Sequence, residues 1–255
     1  METTDTIPMS ETIEEVVIPV KKTRKSKEEL FRNATIKRFE KAPWIAKQLV
    51  TIGGLGGIGS NVAYILAKWG YDMIIFEDDV VEALNIGGQM YFLDNIGKTK
   101  VNSMSQTIYR INKSCKIYPK GRLDNNTSPV YAYPITLACF DSIEARRDLF
   151  NLWIKNNKNS QKAIFIDGRM YSEGLEIFAV TPDNIDRYKE TLFEDKIEEL
   201  PCNYKATTQT GLIIAGLMTG ILSNFVTETI TPLNIREIPF RTEFVIPGMY
   251  YETIR

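Results

Sequence analysis

The sequence predicts an α/β fold in which a mainly parallel, Rossmann-like sheet is flanked by helices. A glycine turn, Gly54-x-Gly56-x-x-Gly59, follows an apolar run at 49–52 and precedes a helical pattern at 61–69. Further along the chain, short apolar runs suited to buried strands alternate with helical patterns. Such alternation indicates parallel strands with helices covering both faces of the sheet.

The glycine turn predicts a nucleotide site. Gly54 permits a tight turn, Gly56 lets the backbone approach a phosphate, and Gly59 allows the helix to pack closely on the strand. The helix amino terminus offers unpaired N–H groups to an anion. A second predicted strand, 73–76, ends in Glu77, whose carboxylate would accept hydrogen bonds from ribose hydroxyls. A glycine turn with a purely structural role is the alternative.

The other elements follow from the same patterns. We predict a mobile arm at 1–25 and a capping box, formed by Ser26 and Glu29, that begins a helix reaching about Phe39. The remaining predictions are helices at 99–112, 143–155 and 210–227, strands at 116–118, 134–140, 163–167 and 175–180, an edge strand at 237–246 and a tail at 250–255.

The length of 255 residues suits one large α/β domain. Residues 26–255 are expected to form it. A nucleotide-binding half at 26–180 would be joined by a crossover loop at 181–208 to a C-terminal helix and antiparallel strands at 209–255.

Composition excludes several classes of function. The 31 basic and 32 acidic residues nearly balance, which argues against nucleic acid as the main partner. No apolar run is expected to cross a membrane, since the longest, 211–222, is short and contains Thr219. Cys115, Cys139 and Cys202 form no CxxC pair, which argues against a disulfide framework or a structural zinc site and favours a cytoplasmic location. Histidine, the commonest general base, is absent.

Two nucleotides fit this arrangement: NAD in a dehydrogenase, or ATP in an adenylating enzyme. ATP chemistry needs basic residues and a carboxylate for Mg²⁺ beyond the second strand. The segment from Glu77 to Lys100 carries an acidic cluster through Asp79, then Asn85 and Gln89, and a Gly-Lys-Thr-Lys sequence. This order resembles the ubiquitin-activating E1-like superfamily, in its ThiF and MoeB group.

The resemblance continues over roughly residues 28–245. Asp141 and Ser142 follow a predicted strand and precede two arginines, which is similar to the catalytic Asp-Asn of the family. Cys202 follows a proline and precedes a glycine-rich helix, which resembles the crossover-loop cysteine. Cys115 and Cys139, in contrast, lie in or beside apolar strands and are expected to be buried thiols.

The resemblance also implies roles for individual side chains. Lys100 would neutralise charge on the phosphates, and Asp141 would hold Mg²⁺ and orient the α-phosphate. Arg32, with Arg38 as an alternative, would reach the γ-phosphate of a neighbouring subunit. Cys202 would carry a thioester or persulfide. The implied nucleotide-binding set is Gly54, Gly56, Gly57, Gly59, Glu77, Asp79, Asn85, Gln89 and Lys100.

The activity that the resemblance implies is that of an adenylyltransferase using ATP and Mg²⁺. It would activate the C-terminal carboxylate of a small ubiquitin-like or sulfur-carrier protein, or of a peptide, as an acyl-adenylate. The family also implies a homodimer and the E1-like adenylation fold.

One position departs from the family. Gly88 stands where a phosphate-binding arginine is expected, and the lost charge-assisted contact could cost roughly 1.5–3 kcal/mol. Arg169 or Lys98 would have to replace it. Otherwise the protein is a catalytically reduced scaffold that binds a protein tail. An NAD-dependent oxidoreductase is a further alternative, which the absence of histidine disfavours.

Overall fold

A computed structural model describes residues 26–39, 41–124, 126–171, 173–192, 208–233 and 235–255. The described strands are β1 Leu49–Gly53, β2 Asp72–Phe76, β3 Ile117–Gly121, β4 Ile135–Ala138, β5 Ile164–Tyr171, β6 Gly174–Val180, β7 Arg241–Val245 and β8 Tyr250–Ile254. The described α-helices are α1 Lys27–Phe39, α2 Gly59–Trp69, α3 Lys100–Ile111, α4 Ile143–Asn157, α5 Ile185–Lys189 and α6 Thr208–Ile230. Short 3₁₀ helices at Ala83–Gly87 and Leu93–Asn95 lie between β2 and α3.

All eight strands belong to one sheet, in the order β3-β2-β1-β4-β5-β6-β7-β8. The strands β1 to β5 pair in parallel, whereas β6, β7 and β8 pair antiparallel. The sequence-based prediction of a mainly parallel sheet with an antiparallel C-terminal extension is confirmed. The carboxyl ends of β1 to β4 therefore meet at one edge of the sheet.

Alternation along the strands builds a core on each face of the sheet. In β5, Ile164 and Ile166 join the cluster beneath α2, α3 and α6, while Phe165 faces the opposite cluster under α4 and α5. That second cluster is aromatic, with Phe150 and Trp153 stacked at 5.9 Å between ring centroids. This two-residue period is what a strand buried on both faces requires.

The prediction for the C-terminal strands was wrong in one respect. The predicted edge strand is the shorter β7, and the predicted tail folds back as β8, with Val245 paired to Tyr250. Gly248 and Met249 adopt positive φ angles of 89° and 51° and make the reversal possible. β8, not β7, is therefore at the edge of the sheet.

Helix α6 overturns the expectation that no apolar segment is long enough to cross a membrane. It has 23 residues, and its most apolar window has a mean hydropathy of 1.6. Thr219 does not interrupt it, because the hydroxyl donates to the carbonyl of Ala215 at 2.8 Å. Within the protein, 61% of that window is buried, and the helix packs against α2, β5 and β6. These contacts are those of a core helix.

Candidate nucleotide site

A cavity of about 780 Å³ lies at the carboxyl ends of β1 to β4. Ligands of open α/β sheets bind in this kind of crevice. Its wall includes Gly54, Gly56, Gly57, Glu77, Asp78, Asp79, Gln89, Lys100, Arg122, Leu123, Phe140, Asp141, Ser142 and Met170. The topology thus brings together most of the residues that the sequence singled out.

The glycine turn between β1 and α2 is tight and leaves room at one point. Gly54 has a positive φ of 87°. A Cβ atom on Gly59 would lie 1.9 Å from the carbonyl oxygen of Gly54, so the helix can approach the strand only without a side chain there. A Cβ on Gly56 would meet nothing within 4 Å, so the backbone at Gly56 is open to the cavity.

The start of α6 packs directly on this turn. A Cβ on Gly211 would lie 2.8 Å from the carbonyl oxygen of Gly57. Thr208 donates to the carbonyl of Gly87, which belongs to the segment with Gly88. The first turn of α6 therefore packs directly against the glycine turn.

Glu77 is fixed by backbone amides. Its Oε2 accepts from the N–H of Leu55 at 2.8 Å, and its Oε1 accepts from the N–H groups of Asp78 and Asp79, both at 2.9 Å. The side chain is only 7% exposed. Both lone pairs of Oε1 are therefore occupied, and Oε2 keeps one for a ribose hydroxyl. Glu77 thus closes the glycine turn and presents an acceptor to the cavity.

Lys100 is the first residue of α3 and is buried. Its ammonium donates to Asp79 Oδ2 at 2.7 Å and lies 3.9 Å from Glu77 Oε2. Two carboxylates therefore face one ammonium, which has three donors in all. Burial and charge raise the pKa of the neighbouring Tyr91 well above its ordinary value, first through desolvation and then through Glu77 and Asp79.

Asn85 and Gln89 differ in position. The Asn85 side chain accepts from the N–H of Glu82 at 2.8 Å and caps a 3₁₀ turn, and it is not part of the cavity wall. Gln89 lines the cavity, and its Oε1 is buried without a hydrogen-bond partner among the described residues. The Gln89 side chain thus borders the cavity with a buried acceptor that no described donor satisfies.

Neither cation considered as a replacement for the missing arginine reaches the cavity wall. Arg169 donates to Asp167 Oδ2 at 2.7 Å and to Thr191, and Lys98 is exposed elsewhere. In the described part of the chain, the cations that line the cavity are Lys100, Arg122 and Arg146. Sequence reasoning missed the exposed Arg122, although its position directly after β3 marks it as a residue of the same edge.

Asp141 follows β4 and is exposed to the cavity. The alternative explanation for an acid at this position, capping of the next helix, does not hold here. Ser142 is the N-cap of α4, and its Oγ accepts from the N–H of Ala145 at 3.3 Å. Asp141 is therefore available for a ligand, as are the exposed Glu144 and Asp148 of the same cavity wall. An exposed carboxylate at this position suits Mg²⁺, which is commonly held by one or two carboxylates together with substrate phosphates.

The described thiols are not nucleophiles. Burial raises the pKa of Cys139 to about 12, an effect that the positive charge of Arg146 partly offsets. Burial raises the pKa of Cys115 to about 11. Both are buried, as expected. Cys202 lies outside the described residues, and Arg32 lies on α1 outside the described side chains.

Residues 32–235 match the sequence model of the ThiF family. Ubiquitin-like modifier-activating enzyme 5 of Drosophila willistoni is 30% identical over 133 residues, which cover 46% of this chain and 32% of that protein. The same enzyme of Drosophila persimilis is 32% identical over 127 residues, covering 44% and 32%. The chain thus spans about a third of the length of these curated relatives.

Solved structures share the fold. PaaA superposes with a TM-score of 0.62 at 18% identity, over 95% of this chain and 78% of PaaA. E. coli MccB, solved with ATP, superposes with a TM-score of 0.55 at 18% identity, over 86% of this chain and 65% of MccB. The same MccB has been solved in complex with N-formylated MccA, with a TM-score of 0.54 and 18% identity, over 86% of this chain and 66% of MccB.

Proposed function

Because this chain belongs to the ThiF family and has the E1-like adenylation fold, we propose that it is an ATP-dependent adenylyltransferase. Its substrate would be the C-terminal carboxylate of a small ubiquitin-like or sulfur-carrier protein, or of a peptide. The observation that carries the proposal is the meeting of the open glycine turn, the Lys100–Asp79 pair and Asp141 at one cavity. ATP binding by MccB and its complex with MccA support a nucleotide and a polypeptide as co-substrates.

The described side chains divide the work on ATP. Glu77 would bind the ribose hydroxyls, and the N–H groups at the start of α2 would bind a phosphate beside Gly56. The Lys100 ammonium would stabilise the negative charge that develops on the phosphates in the transition state. Asp141 would hold Mg²⁺, which supplies further charge neutralisation when bound.

The acceptor chemistry needs no base. An oxygen of the substrate carboxylate bonds to the α-phosphorus, and the bond to the pyrophosphate oxygen breaks. A carboxyl group with an ordinary pKa near 3.5 is already ionised at neutral pH. This reaction therefore suits a chain without histidine.

Gly88 favours one alternative function. Neither Arg169 nor Lys98 lines the cavity, so the arginine expected at Gly88 has no replacement among these two. A scaffold that binds nucleotide weakly and retains a protein tail would tolerate this loss. If the chain is an enzyme, Arg32 of a second copy would supply positive charge at the γ-phosphate. The proposal therefore includes a homodimer, located in the cytoplasm.

The test is calorimetric titration of the full chain with Mg·ATP and, separately, NAD, followed by ATP–pyrophosphate exchange with candidate carrier tails. Asp141→Asn should weaken Mg·ATP binding about tenfold or more and abolish exchange. Asp183→Asn, an exposed acid in a 3₁₀ turn outside the cavity wall, is the matched control and should change neither. ATP binding without exchange for any tail would favour the scaffold, and tight NAD binding would overturn both functions.

A further inference from the structure

A buried ionic cluster lies next to the cavity and is centred on Asp167 of β5. Asp167 is fully buried and accepts hydrogen bonds from Arg146 of α4, from Arg169 Nε at 2.7 Å and from the Tyr188 hydroxyl at 2.9 Å. These four side chains are called the Asp167 cluster below. A buried carboxylate held by three donors, two of them cationic, is fixed in its orientation, so the cluster is a rigid junction between β5, α4 and α5.

One arm of the cluster reaches the turn that carries Asp141. Arg146 donates through Nη2 to the carbonyl of Phe140, the residue just before Asp141, and through Nη1 to the carbonyl of Gly168 at 2.8 Å. The strand ladder between β4 and β5 ends earlier, at the pair of Ala138 and Asp167. The guanidinium therefore continues the connection between the two strands beyond their last backbone pair.

The other arm of the cluster reaches Thr191, which precedes residues 193–207 in the sequence. Arg169 donates through Nη1 to the carbonyl of Thr191 at 3.1 Å and through Nη2 to its hydroxyl at 3.0 Å. Burial alone would lower the pKa of Arg169, but the charge of Asp167 more than offsets this and raises it, so the guanidinium stays charged. Arg147 holds the next residue through a hydrogen bond to the carbonyl of Leu192 at 2.7 Å.

We infer that Arg146, Asp167 and Arg169 are positioning residues that couple the Asp141 turn to the chain at Thr191. Arg169 lies outside the cavity wall and reaches the Asp141 turn only through the shared carboxylate, whereas Arg146 holds that turn directly. Arginine is required at both positions because a planar fork can bridge two acceptors at once, whereas a lysine ammonium on a flexible stem does so poorly. For its effect on catalysis the inference rests on the proposed function, but the coupling itself does not.

Hydrogen exchange of the full chain, without nucleotide, tests the coupling directly. Arg169→Lys should accelerate amide exchange at 139–143, which Arg169 does not contact, about tenfold or more, the size expected for the loss of one charge-assisted hydrogen bond. Arg146→Lys should likewise accelerate exchange at 189–192. Trp153→Phe removes a hydrogen bond to the Pro134 carbonyl from the same helix as Arg146 and serves as the matched destabilising control. If each variant accelerates amide exchange only at the residues that its own side chain contacts, the inference is wrong.

A milder variant and a second readout guard against variants that fail to fold. Tyr188→Phe keeps the buried ring and removes one neutral donor, so it should accelerate exchange at both segments by a smaller factor. In ATP–pyrophosphate exchange, Arg169→Lys should raise the Mg²⁺ concentration for half-maximal rate several-fold, because Arg169 lies outside the cavity wall and acts only through Asp167, while the Trp153 control leaves it unchanged. An unchanged Mg²⁺ midpoint in Arg169→Lys would overturn the catalytic part. If the wild-type protein shows no ATP–pyrophosphate exchange, the proposed function is wrong. The hydrogen-exchange result then decides the coupling on its own.

Discussion

Two glycines of the same turn should respond to alanine in opposite ways. At Gly59 the new methyl group would lie 1.9 Å from the carbonyl oxygen of Gly54, more than about 1 Å short of any tolerable contact. That oxygen is backbone and cannot rotate away. At Gly56 the methyl would meet nothing within 4 Å, and the backbone φ is not positive, so the fold should accept it.

The expected magnitudes follow from this difference. Overpacking against backbone costs about 3 kcal/mol or more, which lowers the melting temperature of a domain of this size by about 6–12 °C. Gly59→Ala should therefore melt early and lose ATP affinity as a consequence. Gly56→Ala should keep its melting temperature within about 2 °C, because a compatible alanine also restricts the unfolded chain. Its methyl group would occupy the space proposed for a phosphate, so ATP affinity should fall tenfold or more, by about 1.4 kcal/mol.

Differential scanning calorimetry and ATP titration on both variants check these expectations. A melting temperature of Gly59→Ala equal to that of the wild type would refute the packing argument. Wild-type ATP affinity of Gly56→Ala would place the phosphate elsewhere and remove the main support for the nucleotide pose.

Three further outcomes are expected. Lys100→Ala should reduce the ATP–pyrophosphate exchange rate by about 10²–10³-fold, the usual effect of losing one transition-state donor, with Lys100→Arg retaining part of it. Glu77→Gln should lower the free energy of unfolding in urea by about 1.5–3 kcal/mol, because an amide has one oxygen in place of the two that accept from three backbone N–H groups. The control is the exposed neighbour: Asp78→Asn should cost under about 0.5 kcal/mol. In the folded protein at pH 8, iodoacetamide should label Cys115 and Cys139 slowly and urea should expose both. Since their folded pKa values are raised, to about 11 and about 12, their contribution to stability should be complete below about pH 9 and lost as the pH rises through those values.

Local chemistry explains what the sequence could predict. The glycine turn requires a positive φ at Gly54 and the absence of a side chain at Gly59, and both needs are visible in the spacing. The period of two in the parallel strands likewise reflects burial on both faces. The helix start at Ser26 followed the same logic, since its Oγ accepts from the N–H of Glu29 at 3.1 Å.

Contacts that only the folded chain reveals, some local and some distant, explain what the sequence could not predict. β8 forms because a reversal at Gly248 pairs exposed side chains with β7, and these residues carry no apolar alternation. Arg169 was a candidate phosphate ligand until its partner Thr191, 22 residues away, was known. Asn85 turned inward to cap a 3₁₀ helix whose existence a polar loop does not reveal.

The order of the strands also matters during synthesis. From β4 onward, each strand is added to the same side of the sheet in the order in which the ribosome delivers it. A newly formed β5 would present the unpaired N–H and C=O groups of a buried strand to other chains, which is a template for aggregation. A parallel neighbour could cover it only after a crossover of a dozen or more residues. β6 instead pairs antiparallel, with Tyr171 opposite Gly174, so the strand that covers the β5 edge follows it directly in the chain.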